Sequence, residues 1–157
     1  GNADSELAFC YLLDQLVEKV GYETPSLEDI FTLLEQLAPQ IAEFGTFNYC
    51  LSNGQALFSY ATTKLHWIVR EYPFQSARLI DLEVEVDFSD VTTSDDRVAV
   101  ITTEPLTKNE EWQAYRPGEM ILFQGGRPIK TALTTIDRLI REEKNPELKR
   151  ITKADQY

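Results

Sequence analysis

No apolar run in the chain approaches the length of about eighteen residues that a membrane-spanning helix needs. No basic stretch precedes a short apolar segment near Gly1, so no secretory signal is read and the expected location is the cytoplasm. Basic residues are scarce: 15 Lys and Arg stand against 26 Asp and Glu, for a formal net charge of -11, and the cations are scattered. Phosphate binding rests on clustered Lys and Arg, so a nucleic-acid surface is excluded and a small or cationic partner suits the chain better. Cysteine is limited to Cys10 and Cys50, which lack metal-ligand spacing and read as two reduced core thiols in a helix and a strand. His66 is the only histidine and has no identifiable partner for base catalysis, so a structural or surface role is expected. A phosphate-cradling glycine loop, a metal cluster and any Ser, Cys or His grouping with triad spacing are all missing, and neither cofactor nor metal is expected.

What is present is one domain's worth of chain: 157 residues, 43% hydrophobic and 11% aromatic, enough to bury a core. Its organising stretch is residues 46–62. Two aromatic and apolar runs flank Asn53-Gly54, a dipeptide that favours φ > 0 at both positions and so predicts a hairpin with a type I′ turn. Phe47, Tyr49 and Leu51 alternate on one arm and Ala56, Phe58 and Tyr60 on the other, giving each strand one face to bury. Two amphipathic helices precede the hairpin. The first is expected from Asp4 to Val20 as a core helix, with Phe9, Leu12, Leu13, Leu16, Val17 and Val20 as its stripe and Gly21 as its stop. Ala3 stands where a capping hydroxyl would be, three residues before Glu6, so that cap is lost. The second opens at Ser26, with Asp29 completing a capping box, and Pro39 predicts a kink or break near Ala38.

After the hairpin the readings are strands. His66 to Arg70 is β-rich and ends before Pro73, and Leu82 to Phe88 alternates apolar and acidic residues. Its carboxylates Glu83, Glu85 and Asp87 read as a solvated face rather than a metal ladder. Val98 to Thr103 reads as a more buried strand, and Met120 to Phe123 as the last strand, closed by Gly125-Gly126. Beyond Pro128 a charged helix carries Leu133, Ile136, Leu139 and Ile140, and Pro146 interrupts it. The fold class is therefore α+β, helices covering a mostly antiparallel sheet.

Several phrases occur together and in order. They are Gly1-Asn2-Ala3-Asp4-Ser5-Glu6 followed by Ala8-Phe9-Cys10; Leu51-Ser52-Asn53-Gly54; Thr63-Lys64-Leu65-His66-Trp67-Ile68; Val86-Asp87-Phe88-Ser89; and Thr103-Glu104-Pro105-Leu106-Thr107-Lys108-Asn109-Glu110-Glu111-Trp112, with Pro117-Gly118-Glu119 soon after. This combination resembles the second half of the class-II glutamine amidotransferases, in their YafJ-like branch. The resemblance implies an N-terminal-nucleophile-hydrolase fold, an αββα sandwich of which this chain supplies part. It implies residues 1–126 as the C-terminal portion of the amidotransferase domain and 127–157 as a C-terminal helical extension.

In that family an N-terminal cysteine attacks the side-chain amide of glutamine, with its own α-amine as base, and ammonia is released through a glutamyl thioester. Neither Cys10 nor Cys50 is placed for that role, and Gly1-Asn2, directly before a helix, reads as a fold whose start has been cut away. Alone, the chain is expected to be inactive. One functional residue carries over: the family's aspartate at the head of this helix meets the substrate's α-ammonium, and the matching residue is Asp4. Ser5 and Glu6 match the motif and receive structural roles. The implied partner is glutamine or a related γ-glutamyl amide, with no nucleic acid and no membrane, and a homo-oligomer is admitted. The reading from a different class is a non-catalytic binding or interaction module that does without the nucleophile half.

Overall fold

The computed structural model describes residues 3–21, 23–74, 76–80, 92–144 and the backbone of 85–86. In order along the chain the elements are α1 (Asp4–Val20), α2 (Leu27–Ala42), β1 (Tyr49–Ser52), β2 (Leu57–Ala61), β3 (His66–Glu71), β4 (Ala77–Arg78), β5 (Glu85–Val86), β6 (Arg97–Thr102), β7 (Gln113–Ala114), β8 (Glu119–Gln124), β9 (Arg127–Leu133) and α3 (Asp137–Lys144). The fold is α+β and its sheets are antiparallel, as the patterning predicts. Two compact units form, one from the described residues of 1–47 and 133–157, the other from those of 48–132.

In the helical unit, α1 begins and ends where its sequence signals lie. Gly21, at φ 71°, turns the chain and donates its N–H to Val17 O at 2.8 Å. Ala3 offers no side-chain cap; only its carbonyl serves the first turn, accepting from the N–H of Glu6 and Leu7 at 3.0 and 3.1 Å. The expectation of a core helix does not hold. Leu12 is the one buried residue of α1, whereas Phe9, Leu13 and Val17 remain 45%, 41% and 45% exposed, because α2 lies against only part of the apolar stripe.

Ser26 caps α2 as expected. Its hydroxyl accepts from the Asp29 N–H at 3.1 Å, and the Asp29 carboxylate accepts from the Ser26 N–H at 3.3 Å and from its hydroxyl at 2.6 Å. Those bonds, led by the one from the Ser26 hydroxyl, hold the Asp29 carboxyl below its ordinary value. The expected break at Pro39 is absent: α2 runs through it to Ala42. An interior proline costs about 3 kcal/mol, and a fully buried Leu, Ile or Phe stabilises by about 1.5 to 3 kcal/mol, so Ile30, Phe31, Leu33, Leu34 and Leu37 together outweigh it. At the far end, Arg138 of α3 donates through Nε to Ala42 O at 3.0 Å and through Nη2 to Gly45 O at 3.0 Å. Glu43 meets the Arg138 N–H at 2.9 Å and Arg141 at 2.7 Å; desolvation alone would raise its carboxyl, but these bonds outweigh it and the net shift is downward.

The β unit is built on a four-stranded sheet, order β1-β2-β8-β9, and a three-stranded sheet, order β6-β3-β7. β2 pairs with β1 from Tyr49↔Tyr60 to Ser52↔Leu57 and with β8 from Leu57↔Phe123 to Ala61↔Glu119. Ala61, Leu65, Tyr115, Ile121 and Phe123 form a buried cluster, against which Trp67 of β3 and Ala99 and Ile101 of β6 pack from the second sheet. Trp67 meets Phe123 edge to face at 5.6 Å. Ser59, fully buried in β2, shares a 2.6 Å hydrogen bond with the Tyr115 hydroxyl and donates to Ile121 O at 3.1 Å. A third pair, β4 with β5, is described at 77–78 and 85–86. The remainder of the expected Leu82 to Phe88 strand, with the side chains of Glu83, Glu85 and Asp87, lies outside the described residues.

Three expectations change in this unit. The Asn53-Gly54 turn is not of type I′, since Ser52 pairs with Leu57 across four loop residues and Gly54, at φ 85°, is the only residue there with positive φ. The loop is wrapped around two side chains instead. Asn53 Oδ1 accepts from the N–H of Gln55 and Ala56 at 3.0 Å each, and the Ser52 hydroxyl donates to Ala56 O at 2.9 Å. The two-residue turn with φ > 0 at both positions is Gly125-Gly126, at 57° and 73°, which is no terminus: it leads into β9. Arg127–Leu133 is thus a sheet strand and not the head of a helical extension, with Pro128 tolerated because β9 is at the edge. Finally, β6 is exposed to half-buried rather than more buried, because it lies at the edge of its sheet beside central β3.

The phrase from Thr103 to Trp112 forms a clamp. Arg70 of β3 donates to both oxygens of Glu110, at 2.7 and 2.6 Å; the Thr107 hydroxyl donates to Glu110 at 2.5 Å and accepts from the Trp112 indole at 2.9 Å. Asn109 accepts from the Arg78 N–H at 2.8 Å and donates to Ser76 O at 2.7 Å, and so holds the start of the β4 segment.

Two outcomes follow for stability. A Cβ at Gly126 would lie 2.7 Å from Arg97 O as well as on a φ of 73°, whereas one at Gly54 would meet nothing within 4 Å. In urea titrations Gly54→Val should therefore cost about 1 to 3 kcal/mol from backbone strain alone, and Gly126→Val more than Gly54→Val; equal costs would mean that the approach to Arg97 is not rigid. Glu110 is held below the ordinary 4.5: desolvation pushes up, and the bonds from Arg70 and Thr107 outweigh it. A depressed carboxyl stabilises above its unfolded value and loses that contribution as pH falls through its folded value. Glu110→Gln should then cost about 2 to 3 kcal/mol near pH 7, and the gap to the parent protein should narrow below pH 4.5; a gap independent of pH would show that the charge is not what holds the clamp.

Candidate functional site

Asp4 is the first residue of α1 and is exposed. Its position follows from local chemistry: Ala3 is extended at ψ 135°, its carbonyl receives the first helical bonds, and an acidic residue in the first turn complements the helix dipole. No hydrogen bond or ion pair engages the Asp4 carboxylate among the described residues, in contrast with Asp29, which the Ser26 cap consumes. Asp4 is therefore a carboxylate with its full capacity to accept from an ammonium group. The magnitude depends on its surroundings: two unit charges 4 Å apart attract by about 1 kcal/mol in bulk water and by about 4 kcal/mol at an effective dielectric constant of 20. Ser5 and Glu6 follow it in the same exposed turn.

Neither cysteine is the core thiol that the sequence implied. Cys10 on α1 and Cys50 on β1 are both free and exposed. The alternation of β1 puts Cys50 on its outer side, with half-buried Tyr49 and Leu51 on the other. Desolvation nonetheless pushes the Cys50 thiol up, which lowers its thiolate fraction and makes it a poorer nucleophile. His66 opens β3, half-buried, with Nδ1 3.1 Å from Thr103 O. Among the described residues no three or more His, Cys, Asp or Glu side chains gather as metal ligands. No helix among them is long and apolar enough to cross a membrane.

Most of the phrases that carry the sequence resemblance turn out to hold the fold. Ser52 and Asn53 wrap the first hairpin, Thr63 accepts from Asn48 Nδ2 at 2.7 Å, and Thr107, Asn109, Glu110 and Trp112 make the clamp. The Asp4 carboxylate takes no part in these bonds. What the sequence did not disclose is the partner of Glu110: Arg70 stands forty residues away with no spacing rule to connect them.

Comparison with known proteins bears on the family and the fold. The family model for the class-II glutamine amidotransferases matches residues 1–147, which runs past Gly126 and takes in β9 and α3. An Escherichia coli (strain K12) protein named "Putative glutamine amidotransferase YafJ" is 45% identical over 129 residues, 82% of this chain and 51% of its own length. A Haemophilus influenzae protein of like name is 38% identical over 135 residues, 86% of this chain and 46% of its own. The crystal structure of a "predicted glutamine amidotransferase" from Pseudomonas aeruginosa PA01 superposes with a TM-score of 0.73 at 40% identity, covering 83% of this chain and 51% of that one. The chain spans about half the length of the curated relatives it matches. With a family match over nearly all the described residues and a solved relative of the same fold, the chain belongs to the class-II glutamine amidotransferases.

Proposed function

We propose that the chain serves a glutamine amidotransferase that hydrolyses the side-chain amide of glutamine, or of a related γ-glutamyl compound, and releases ammonia. Within it, Asp4 receives the substrate's α-ammonium. The observation that carries this reading is the exposed, unengaged carboxylate at the head of α1, the residue that the sequence resemblance matches to the family's motif aspartate. A glutamine molecule offers one cation, its α-ammonium, and a carboxylate is the matching acceptor. The nucleophilic step belongs to an N-terminal cysteine in the family's mechanism, and this reading gives Cys10 and Cys50 no part in it. Desolvation pushes the Cys50 thiol up and so disfavours its thiolate.

A contact to a spectator cation is made in ground and transition states alike, so its loss acts on binding more than on turnover. Asp4→Asn keeps size and hydrogen-bonding capacity but removes the charge. In the assembled amidotransferase it should raise KM for glutamine about ten- to a hundred-fold, with a smaller fall in kcat, the range expected for losing one charge-assisted hydrogen bond. Cys10→Ala and Cys50→Ala should leave both constants within about two-fold. Unchanged glutamine kinetics in Asp4→Asn would reduce Asp4 to a residue that complements the helix dipole, and loss of turnover in either cysteine variant would relocate the chemistry.

A further inference from the structure

We propose that Asn53-Gly54 is a site of self-modification, at which the Gly54 nitrogen closes on the Asn53 side chain to form a succinimide and water then opens the ring to aspartate or isoaspartate. Asn53 alone of the chain's asparagines precedes a glycine: Asn2, Asn48, Asn109 and Asn145 precede Ala3, Tyr49, Glu110 and Pro146. A glycine leaves its own nitrogen unhindered. The surroundings add no obstacle, since both residues are exposed and even a Cβ at Gly54 would meet nothing within 4 Å. Nucleophile and target belong to neighbouring residues, so the attack is intramolecular and gains the advantage of proximity.

The bonding of the loop sets this asparagine apart from Asn48 and Asn109. Asn48 Nδ2 donates to Thr63 Oγ1 at 2.7 Å and Asn109 Nδ2 to Ser76 O at 2.7 Å, so each of those amide nitrogens is held. Asn53 Nδ2, the group that must leave, makes no hydrogen bond among the described residues; only Oδ1 is used, by the N–H groups of Gln55 and Ala56 at 3.0 Å each. Those two donors face the oxygen on which negative charge develops as the nitrogen adds to Cγ, the arrangement that stabilises a tetrahedral intermediate. The Gly54 N–H donates to Ser52 Oγ at 3.1 Å, so its proton already has an acceptor on the route to solvent base. Water is the only co-reactant: the bond from Gly54 N to Cγ forms, the bond from Cγ to Nδ2 breaks, the Gly54 proton goes to solvent base, and Nδ2 departs as ammonia after taking up a proton from water.

The two products differ in what they do to the hairpin. Aspartate keeps Oδ1 and both loop bonds and adds a negative charge. Isoaspartate routes the main chain through Cβ and Cγ, which adds an atom to the loop that closes between Ser52 and Leu57 and works against the pairing of β1 with buried β2.

The test is peptide mapping of the assembled amidotransferase held in mildly alkaline buffer. Position 53 should convert to aspartate and isoaspartate about ten-fold or more faster than Asn48 or Asn109 converts in the same sample. Isoaspartate, identified with an isoaspartyl methyltransferase, distinguishes ring closure from direct hydrolysis, which gives aspartate alone. Gly54→Ala should slow the loss of the amide about ten-fold or more, because a methyl group hinders the attacking nitrogen. Asn53→Asp should melt with the parent protein, whereas the fraction carrying isoaspartate should melt lower. An amide at Asn53 that lasts as long as those of Asn48 and Asn109, aspartate without isoaspartate, a rate indifferent to Gly54→Ala, or an isoaspartate fraction that melts with the parent would each overturn the proposal.

Discussion

Burial of β2 along almost its whole length is the constraint on which the β unit depends. Phe58, Ser59, Tyr60 and Ala61 are all shielded from water, so neither face of that strand can leave a polar atom unserved. The backbone is answered by β1 on one side and β8 on the other. The remaining problem is the Ser59 hydroxyl, and Tyr115 and Ile121 O solve it. That solution ties the segment after β7 to the central strands, and it explains why a tyrosine, with an apolar ring and a polar tip, lies at the edge of the cluster. The two sheets then meet through Trp67 and Phe123, and among the described residues no buried side-chain nitrogen or oxygen is left without a partner.

The parts of the fold that were legible in the sequence are those whose determinants are local. Gly21, Ser26 and Asp29 act within one turn of their own backbone, and α1 ends and α2 begins where these residues say. What misled was chemistry that depends on distant neighbours. Pro39 reads as a helix breaker until the burial of Leu37, Ala38 and Ala42 is known. Gly125-Gly126 reads as an ending, but paired left-handed glycines are a hairpin turn whenever a further strand is at hand, and β9 is that strand. The β-branched run of β6 has the composition of an interior strand and the position of an edge. The stripe of α1 gave its helical period correctly and its cover wrongly, because period reports which residues share a side and not whether anything lies on it.

The candidate site was legible only through the family motif, not through composition or spacing. Asp4 is one of 26 acidic residues, and by periodicity alone it is a first-turn carboxylate like Glu28 and Asp29. The structure separates them by bonding: the Asp29 carboxylate accepts two bonds from Ser26 through Oδ2, while Asp4 has no such engagement among the described residues. An alanine before Asp4 contributes to that difference, since a capping hydroxyl at position 3 would compete for the donors and acceptors of the first turn.

The way α2 ends has a bearing on when the protein can fold. The Gln40 and Ile41 carbonyls accept locally from the N–H of Glu43 and Phe44 at 3.3 and 3.0 Å, but the last one, that of Ala42, is satisfied by Arg138, 96 residues further on, whose guanidinium also reaches Gly45 O. A glycine stop satisfies its carbonyls within its own turn; the Ala42 carbonyl waits until the β unit has been synthesised and Arg138 follows it. Until then the final turn of α2, which Pro39 deprives of one donor, is closed by those two local bonds alone. The Ala42 carbonyl is therefore among the last groups of α2 to find its partner in the order in which the chain is made.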